Sequence, residues 1–312
     1  MVAVLIVLLV FFIILLGSLT FYYVASVFRY KMILKRDSIV QKIITSIIYK
    51  DLRRYNIDFF WWTKQKYSVI KTKSKDGLNL IGYYINQNSN KTALLVHGYG
   101  SNAFEMQAYV KMFLLLGYNI LAVDNRGHGK SDGKIISMGY YEKQDIGCWV
   151  NFLIKNDKNI QIVVFGVSMG GASVCLYSGE SKPQNVKAII SDCAYSSAYE
   201  IVKHISDRSV IFSIFPTLKV FDLYCKKKVG FCLSDIDVVY QVQKCDIPIL
   251  FIHGDKDNFV PFYMLGELYG KCPQKYRHKF VASGASHGAS LFVAKEKYIK
   301  KVQTFLEKYV KN

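Results

Sequence analysis

Gly166-Val167-Ser168-Met169-Gly170 fits the pattern G-x-S-x-G, which holds a serine at a sharp strand-to-helix corner with its hydroxyl presented for attack. The pattern is short, so its weight comes from context: it follows the apolar run 160–165 (IQIVVF) and opens a helical stretch at 169–179. A serine hydroxyl becomes nucleophilic only beside a base, and the base needs a group that orients it. Serine corners of this kind take their acid and then their histidine from further along the chain. The downstream histidines are His204, His253, His278 and His287. His287 sits in Gly284-Ala285-Ser286-His287-Gly288, a small-residue loop between the last strand and the last helix, and is the candidate base. His204 lies in an insertion and His278 begins a strand, so surface or structural roles suit both. His253 ends a strand too near the candidate acid to be the base.

That acid is sought among Asp257, Asp255 and Asp192. The segment 253–261 (HGDKDNFVP) follows the strand 247–252. Asp257, three residues past Gly254, stands where the loop turns back toward the histidine and is favoured. Asp255 is a brace for the same loop, and Asp192, ending the preceding strand, is the alternative. A developing oxyanion needs two backbone donors. The amide of Met169, just after the nucleophile, supplies one. The Tyr99 amide in His97-Gly98-Tyr99-Gly100 is assigned as the other, because Gly98 and Gly100 let backbone approach a ligand closely.

Bringing these residues together requires a scaffold, and the hydrophobic pattern supplies it. Runs 67–73 and 78–85 flank Lys75-Asp76-Gly77 as a hairpin. Strands are expected at 92–96, 118–123, 160–165, 186–191, 247–252 and 277–281. Helices are expected at 104–116, 139–154, 169–179, 261–270 and 290–309. Such alternation predicts an α/β fold with a mostly parallel sheet and helices on both faces. Residues 193–244 interrupt it with Phe212, Phe215, Phe221 and Tyr224 around Pro216, which predicts a helical lid hung over Ser168. The organisation expected is an anchor at 1–28, a basic juxtamembrane segment at 29–66 and a catalytic domain at 67–312, with the lid at about 193–244.

The anchor follows from composition. No charged side chain occurs from Val2 to Phe28, a run of roughly 40 Å as a helix against a hydrocarbon core of about 30 Å. A cleaved signal peptide would want a basic n-region and a shorter apolar core. Between Arg29 and Lys75 thirteen basic side chains face three acidic ones, giving +10 of the formal +18. This charge stands next to the membrane, where anionic headgroups attract it, and its flank predicts a cytoplasmic domain. No nucleic-acid module accompanies it. Residues 37–55 read as an amphipathic helix that lies on the membrane or on the core, followed by the aromatic cluster Phe59, Phe60, Trp61 and Trp62. The seven cysteines are odd in number and lack a C-x-x-C pair, as in reduced proteins. Neither metal-ligand spacing nor a cofactor motif is present.

The motifs HGYGSN (97–102), DNRGHGKSDG (124–133), GVSMGG (166–171), HGDKDNFVP (253–261) and SHG (286–288) occur in an order that resembles α/β-hydrolases of the serine aminopeptidase (S33)/lysophospholipase-like group, especially the cell-associated ones of low-GC Gram-positive bacteria. The resemblance covers about 67–310. It implies that Asp124, Arg126 and His128 brace the loop beside the oxyanion strand, with Glu142 and Asp145 paired to Arg126. Asn125 departs from the frequent tyrosine. The function expected is a membrane-anchored serine hydrolase cleaving esters with lipophilic acyl chains, such as lysophospholipids, monoacylglycerols or acyl thioesters. An aminopeptidase-like activity would need acids such as Asp207, Asp222, Asp235 and Asp237 at the site to hold an α-amino group. A non-catalytic membrane-bound binding protein is the third reading. No cofactor or metal is implied, and nothing in the sequence fixes an oligomeric state.

Overall fold

A computed structural model describes residues 2–52, 55, 61–208 and 217–311. The apolar N-terminal run forms one helix, α1 (Val2–Ile33), of 32 residues, long and apolar enough to cross a bilayer. Its residues are exposed or half-buried until Ser26, and from there Ser26, Arg29 and Tyr30 are buried. The amphipathic segment forms α2 (Ile39–Leu52). Phe59 and Phe60 of the expected aromatic cluster lie outside the described residues, while Trp62 is buried and donates its indole N–H to Phe104 O at 2.9 Å.

Eight strands follow: β1 (Ser68–Lys73), β2 (Asn79–Ile85), β3 (Lys91–Val96), β4 (Asn119–Val123), β5 (Gln161–Val167), β6 (Val186–Asp192), β7 (Ile249–Gly254) and β8 (Arg277–Ala282). They build one sheet in the order β1-β2-β4-β3-β5-β6-β7-β8. The β1/β2 hairpin and its junction with β4 are antiparallel; the pairs from β4 through β3 to β8 are parallel. The helices are α3 (Gln107–Leu115), α4 (Glu142–Asn156), α5 (Met169–Ser178), α6 (Ala198–Asp207), α7 (Thr217–Val229), α8 (Val238–Gln243), α9 (Tyr263–Lys271), α10 (Ser290–Val293) and α11 (Lys295–Tyr309). The expected final helix at 290–309 is thus two pieces, because Ala294 (φ −121°, ψ 39°) leaves helical geometry between them.

A parallel strand covered on both faces reads as continuously apolar, and here alternate residues serve different cores. Leu94 and Val96 of β3 and Ile162 and Val164 of β5 pack with Trp149. Ala93 and Leu95 of β3 and Val163 and Phe165 of β5 pack with Phe113, Tyr298 and Phe305. Register aligns Val96 with Gly166 and Val167 with Asp192. The loops leaving β3, β5, β6 and β7 therefore share one edge, the carboxyl edge where ligands bind in open α/β sheets.

Candidate active site

Ser168 is the single residue between β5 and α5, and its backbone has φ 56° and ψ −118°. That conformation is strained for a residue with a Cβ. The surrounding packing enforces it: a Cβ on Gly170 would run into Val96 O, and one on Gly98 would lie 3.2 Å from Ser168 Cβ. Small residues thus let β5, α5 and the 97–100 loop meet at one point. The Ser168 amide donates to Asp192 O at 2.8 Å, fixing the corner to the end of β6.

The structure brings Ser168, His287 and Asp257 together. His287 Nε2 lies 2.9 Å from Ser168 Oγ, and His287 Nδ1 lies 2.7 Å from Asp257 Oδ2. An ionised carboxylate only accepts, so Nδ1 carries the ring proton and Nε2 is free to take the serine's. All three side chains are buried. Asp257 Oδ1 accepts from the Phe259 and Val260 amides, each at 2.9 Å. Burial works to raise the Asp257 pKa, but the electrostatic attraction and hydrogen bonds of His287 and His253 outweigh it and hold the carboxyl well below the usual range. This arrangement can pass a proton from the hydroxyl to the imidazole while the carboxylate keeps the ring aligned.

The other candidates have separate tasks. Asp255 accepts from Ser283 Oγ at 2.9 Å and from the Gly284 amide at 2.7 Å, bracing the loop that leads to His287. Asp192 accepts from Tyr298 Oη at 2.9 Å and has no hydrogen bond to His287; burial pushes it up to about 6. His204 contacts Asn258 O at 3.3 Å and His278 meets Tyr309 Oη at 2.8 Å, whereas the imidazole partner of Ser168 Oγ is His287. Motif reading missed a role for His253. Its Nε2 lies 3.0 Å from Val260 O and 3.2 Å from Asp257 Oδ2, so it carries a proton and is a second donor to the acid. The i, i+4 spacing of His253 and Asp257 was the available signal.

Two loops frame the proposed oxyanion donors Tyr99 and Met169. His97 Nδ1 donates to Gly98 O at 2.7 Å while Nε2 accepts from the Asn125 amide at 3.0 Å. His128 Nδ1 donates to Arg126 O at 2.9 Å while Nε2 accepts from the Gly100 amide at 3.1 Å. Burial depresses both imidazoles, His97 to about 4 and His128 to about 3. Asn125 also ties its side-chain amide to His97 O at 2.9 Å. Asp124 accepts from the Ala103 and Lys130 amides at 2.9 and 2.8 Å. Arg126 pairs with Asp145 at 2.6 Å as expected, but its second partner is Asp76 of the β1/β2 turn at 3.0 Å. Glu142 instead accepts from the amides of Ser137 and Gly139 at 2.9 and 2.8 Å, holding the turn before α4.

A cavity of about 70 Å³ opens on Ser168. Its lining includes Ile201, Val202 and Ile205 of α6, Phe259 and Val260 of the loop after β7, and Ile33 and Ile44 of α1 and α2. No lining residue is charged. The insertion is helical, as expected, but its aromatics are placed otherwise. Phe221 is in the core, Tyr224 stacks edge-on against Tyr23 and Tyr30 of α1, and Phe212 and Phe215 lie outside the described residues. Aliphatic residues of α6 take the position expected for them. Three of the four acids named from sequence are engaged locally: Asp222 accepts from Ser234 Oγ at 2.5 Å, Asp235 pairs with Lys226 at 2.8 Å, and Asp237 caps α8 through the Tyr240 amide at 2.9 Å. The fourth, Asp207, is exposed at the end of α6 and does not line the cavity.

A model of the family described as serine aminopeptidase, S33, matches residues 87–226. The uncharacterized Bacillus subtilis protein YqkD is 30% identical over 234 residues, 74% of this chain and 76% of its own length. An uncharacterized membrane protein of Saccharomyces cerevisiae is 26% identical over 235 residues, 72% of this chain and 75% of its own. A Pyrococcus furiosus esterase shares the fold with a TM-score of 0.65 at 24% identity, over 78% of this chain and 91% of that one.

Proposed function

We propose that this chain, which belongs to the α/β-hydrolases of the serine aminopeptidase S33 group, is a membrane-tethered serine hydrolase of carboxylic esters with lipophilic acyl chains. The observation that carries the reading is the uncharged, mostly apolar cavity whose lining includes Ser168. In this reading Ser168 Oγ attacks the carbonyl carbon while His287 Nε2 takes its proton. The Tyr99 and Met169 amides receive the oxyanion, which no side-chain charge competes to neutralise. Collapse breaks the ester C–O bond, and His287 returns the proton to the departing alkoxide. Water then repeats the sequence on the acyl-enzyme and frees the acid. Asp257, assisted by His253, keeps the imidazole aligned throughout.

The aminopeptidase alternative loses support from the same cavity. A substrate α-ammonium would need a carboxylate beside the scissile carbonyl; Asp222, Asp235 and Asp237 hold their own helices and turns, and Asp207, next to the lining residue Ser206, is exposed and not part of the lining. Fluorophosphonate labelling of the full chain in detergent, followed by p-nitrophenyl esters of increasing length, tests the proposal. Ser168→Ala is expected to abolish labelling and to lower kcat by roughly 10⁴–10⁶-fold. The kcat/KM of the wild type is expected to rise up to about fourfold per added methylene before levelling, from about 0.8 kcal/mol per buried CH₂. A decline from acetate onward, or faster cleavage of aminoacyl arylamides, would sink the lipophilic-ester reading.

A further inference from the structure

We infer that the membrane-anchor segment builds one wall of the acyl pocket, and that Ile33 and Ile44 set the length of acyl chain the enzyme accepts. This rests on the lipophilic-ester reading for the chemical class of its ligand, a single fatty acyl chain. It adds that selectivity resides outside the hydrolase domain proper, in a segment the family match at 87–226 does not reach.

The wall is built into the site. Ile33, the last residue of α1, and Ile44 of α2 line the same cavity as Ser168 and Met169. Tyr99 Oη donates to Ile33 O at 2.7 Å, so the residue whose amide is proposed to bind the oxyanion also grips the end of the anchor. Leu34 is fully buried, and its carbonyl accepts from the Ile136 amide at 2.7 Å. The Arg36 amide donates to Lys134 O at 3.1 Å, and its guanidinium to Gly129 O at 2.6 Å and Ser131 O at 2.9 Å. Arg36 is thereby committed to the fold rather than to headgroups. On α2, Thr45 Oγ1 donates to Gly100 O at 3.3 Å, and Gln41 and Thr45 pack against Gly100, where a Cβ would collide with them.

α2 is thus two-sided. Gln41, Ile44 and Thr45 face the 97–100 loop and the pocket, whereas Ile39, Lys42, Ile43 and Ser46 are exposed. At 100° per residue these sets fall on opposite faces. Of the two placements the sequence allowed, membrane or core, the inner face of α2 lines the pocket, while Ile39 and Ile43 on the outer face are exposed.

The test compares rates of irreversible labelling by short-chain (ethyl) and long-chain (dodecyl) fluorophosphonates on the full-length protein in detergent, so the readout needs only a reactive Ser168. Ile33→Trp and Ile44→Trp are expected to lower the long-to-short rate ratio by at least tenfold, and Ile44→Ala to raise it. Ser46→Trp, on the outer face of α2, is expected to keep the wild-type ratio. Thermal melts establish that each variant is folded, and the alanine variant decides the matter if tryptophan does not fold. Equal ratios in all folded variants would overturn the wall. A wild type that labels and discriminates by chain length but hydrolyses no ester would overturn the ester reading and leave the wall standing.

Discussion

At the scale of single residues, Asp257 is distinguished from Asp192 by what each carboxylate touches. Asp257 holds two amides and two imidazoles. Asp192 holds phenol hydroxyls, and only its backbone carbonyl reaches Ser168. Asp257→Asn keeps the shape but presents an amide where His287 needs an acceptor, so the imidazole turns or adopts the wrong tautomer. A fall in kcat of roughly 10⁴-fold is expected. Asp192→Asn, which leaves the His287 contact untouched, is expected to cost far less, and steady-state kinetics of the two variants on one ester checks the ranking. The favoured order of the two acids was readable in the sequence, because loop length past β7 sets which residue turns back. The second imidazole on Asp257 was not, since a histidine ending a strand looks like any other buried polar group until its neighbours are known. Asp76 was hidden for a related reason: an acid in a Lys-Asp-Gly turn looks solvated, and nothing local reveals an arginine fifty residues away.

At the scale of elements, the inner strands β3 to β7 were legible because they are buried on both faces and bounded by turn residues, and the edge strands β1 and β8 are only partly buried. The lid was less so, since its apolar residues serve two partners, the core and α1, and their spacing reports neither alone. The 97–100 and 124–133 loops were recognisable as motifs, but the device that joins them is visible only in space. His97 and His128 each donate through Nδ1 and accept through Nε2, so both are locked as neutral rings. Their pH consequence has a definite sign. The unfolded chain takes up a proton on His97 below about 6.5, whereas the folded chain resists until about 4. Across that window the unfolded state binds more protons, so stability falls as pH falls, by up to ~1.4 kcal/mol per pH unit and roughly 3 kcal/mol in all. Buried carboxylates such as Asp192 act in the opposite sense, so the test is a difference. Denaturant titrations of wild type and His97→Gln from pH 7 to pH 4.5 are expected to show the wild type losing more stability than the variant. Parallel slopes would mean that His97 does not titrate there.

At the scale of the whole molecule, the end of α1 packs on the hydrolase domain, and if α1 is an anchor this bears on which side of the membrane the site faces. Residues 2–21 of α1, about 30 Å of helix, are exposed before Tyr23 packs on Tyr224, matching a hydrocarbon layer of about 30 Å. The buried turn that follows fixes the domain directly against the end of the span, so no linker lets the domain choose its side independently. Orientation then depends on the flanks. Among the given residues no charged side chain lies from Val2 to Phe28, and the excess of +10 between Arg29 and Lys75 follows the helix. Burial of Arg29 and the carbonyl contacts of Arg36 remove two charges from headgroup contact, yet during insertion the chain is unfolded and both still count toward retention on the positive-inside face. The site is therefore expected in the cytoplasm. Alkaline phosphatase fused after Asn312 should be inactive and a fluorescent protein fused there should be bright. An active phosphatase would reverse the orientation, and because the wall of the pocket ends the same helix, it would carry the acyl pocket to the outer leaflet with it.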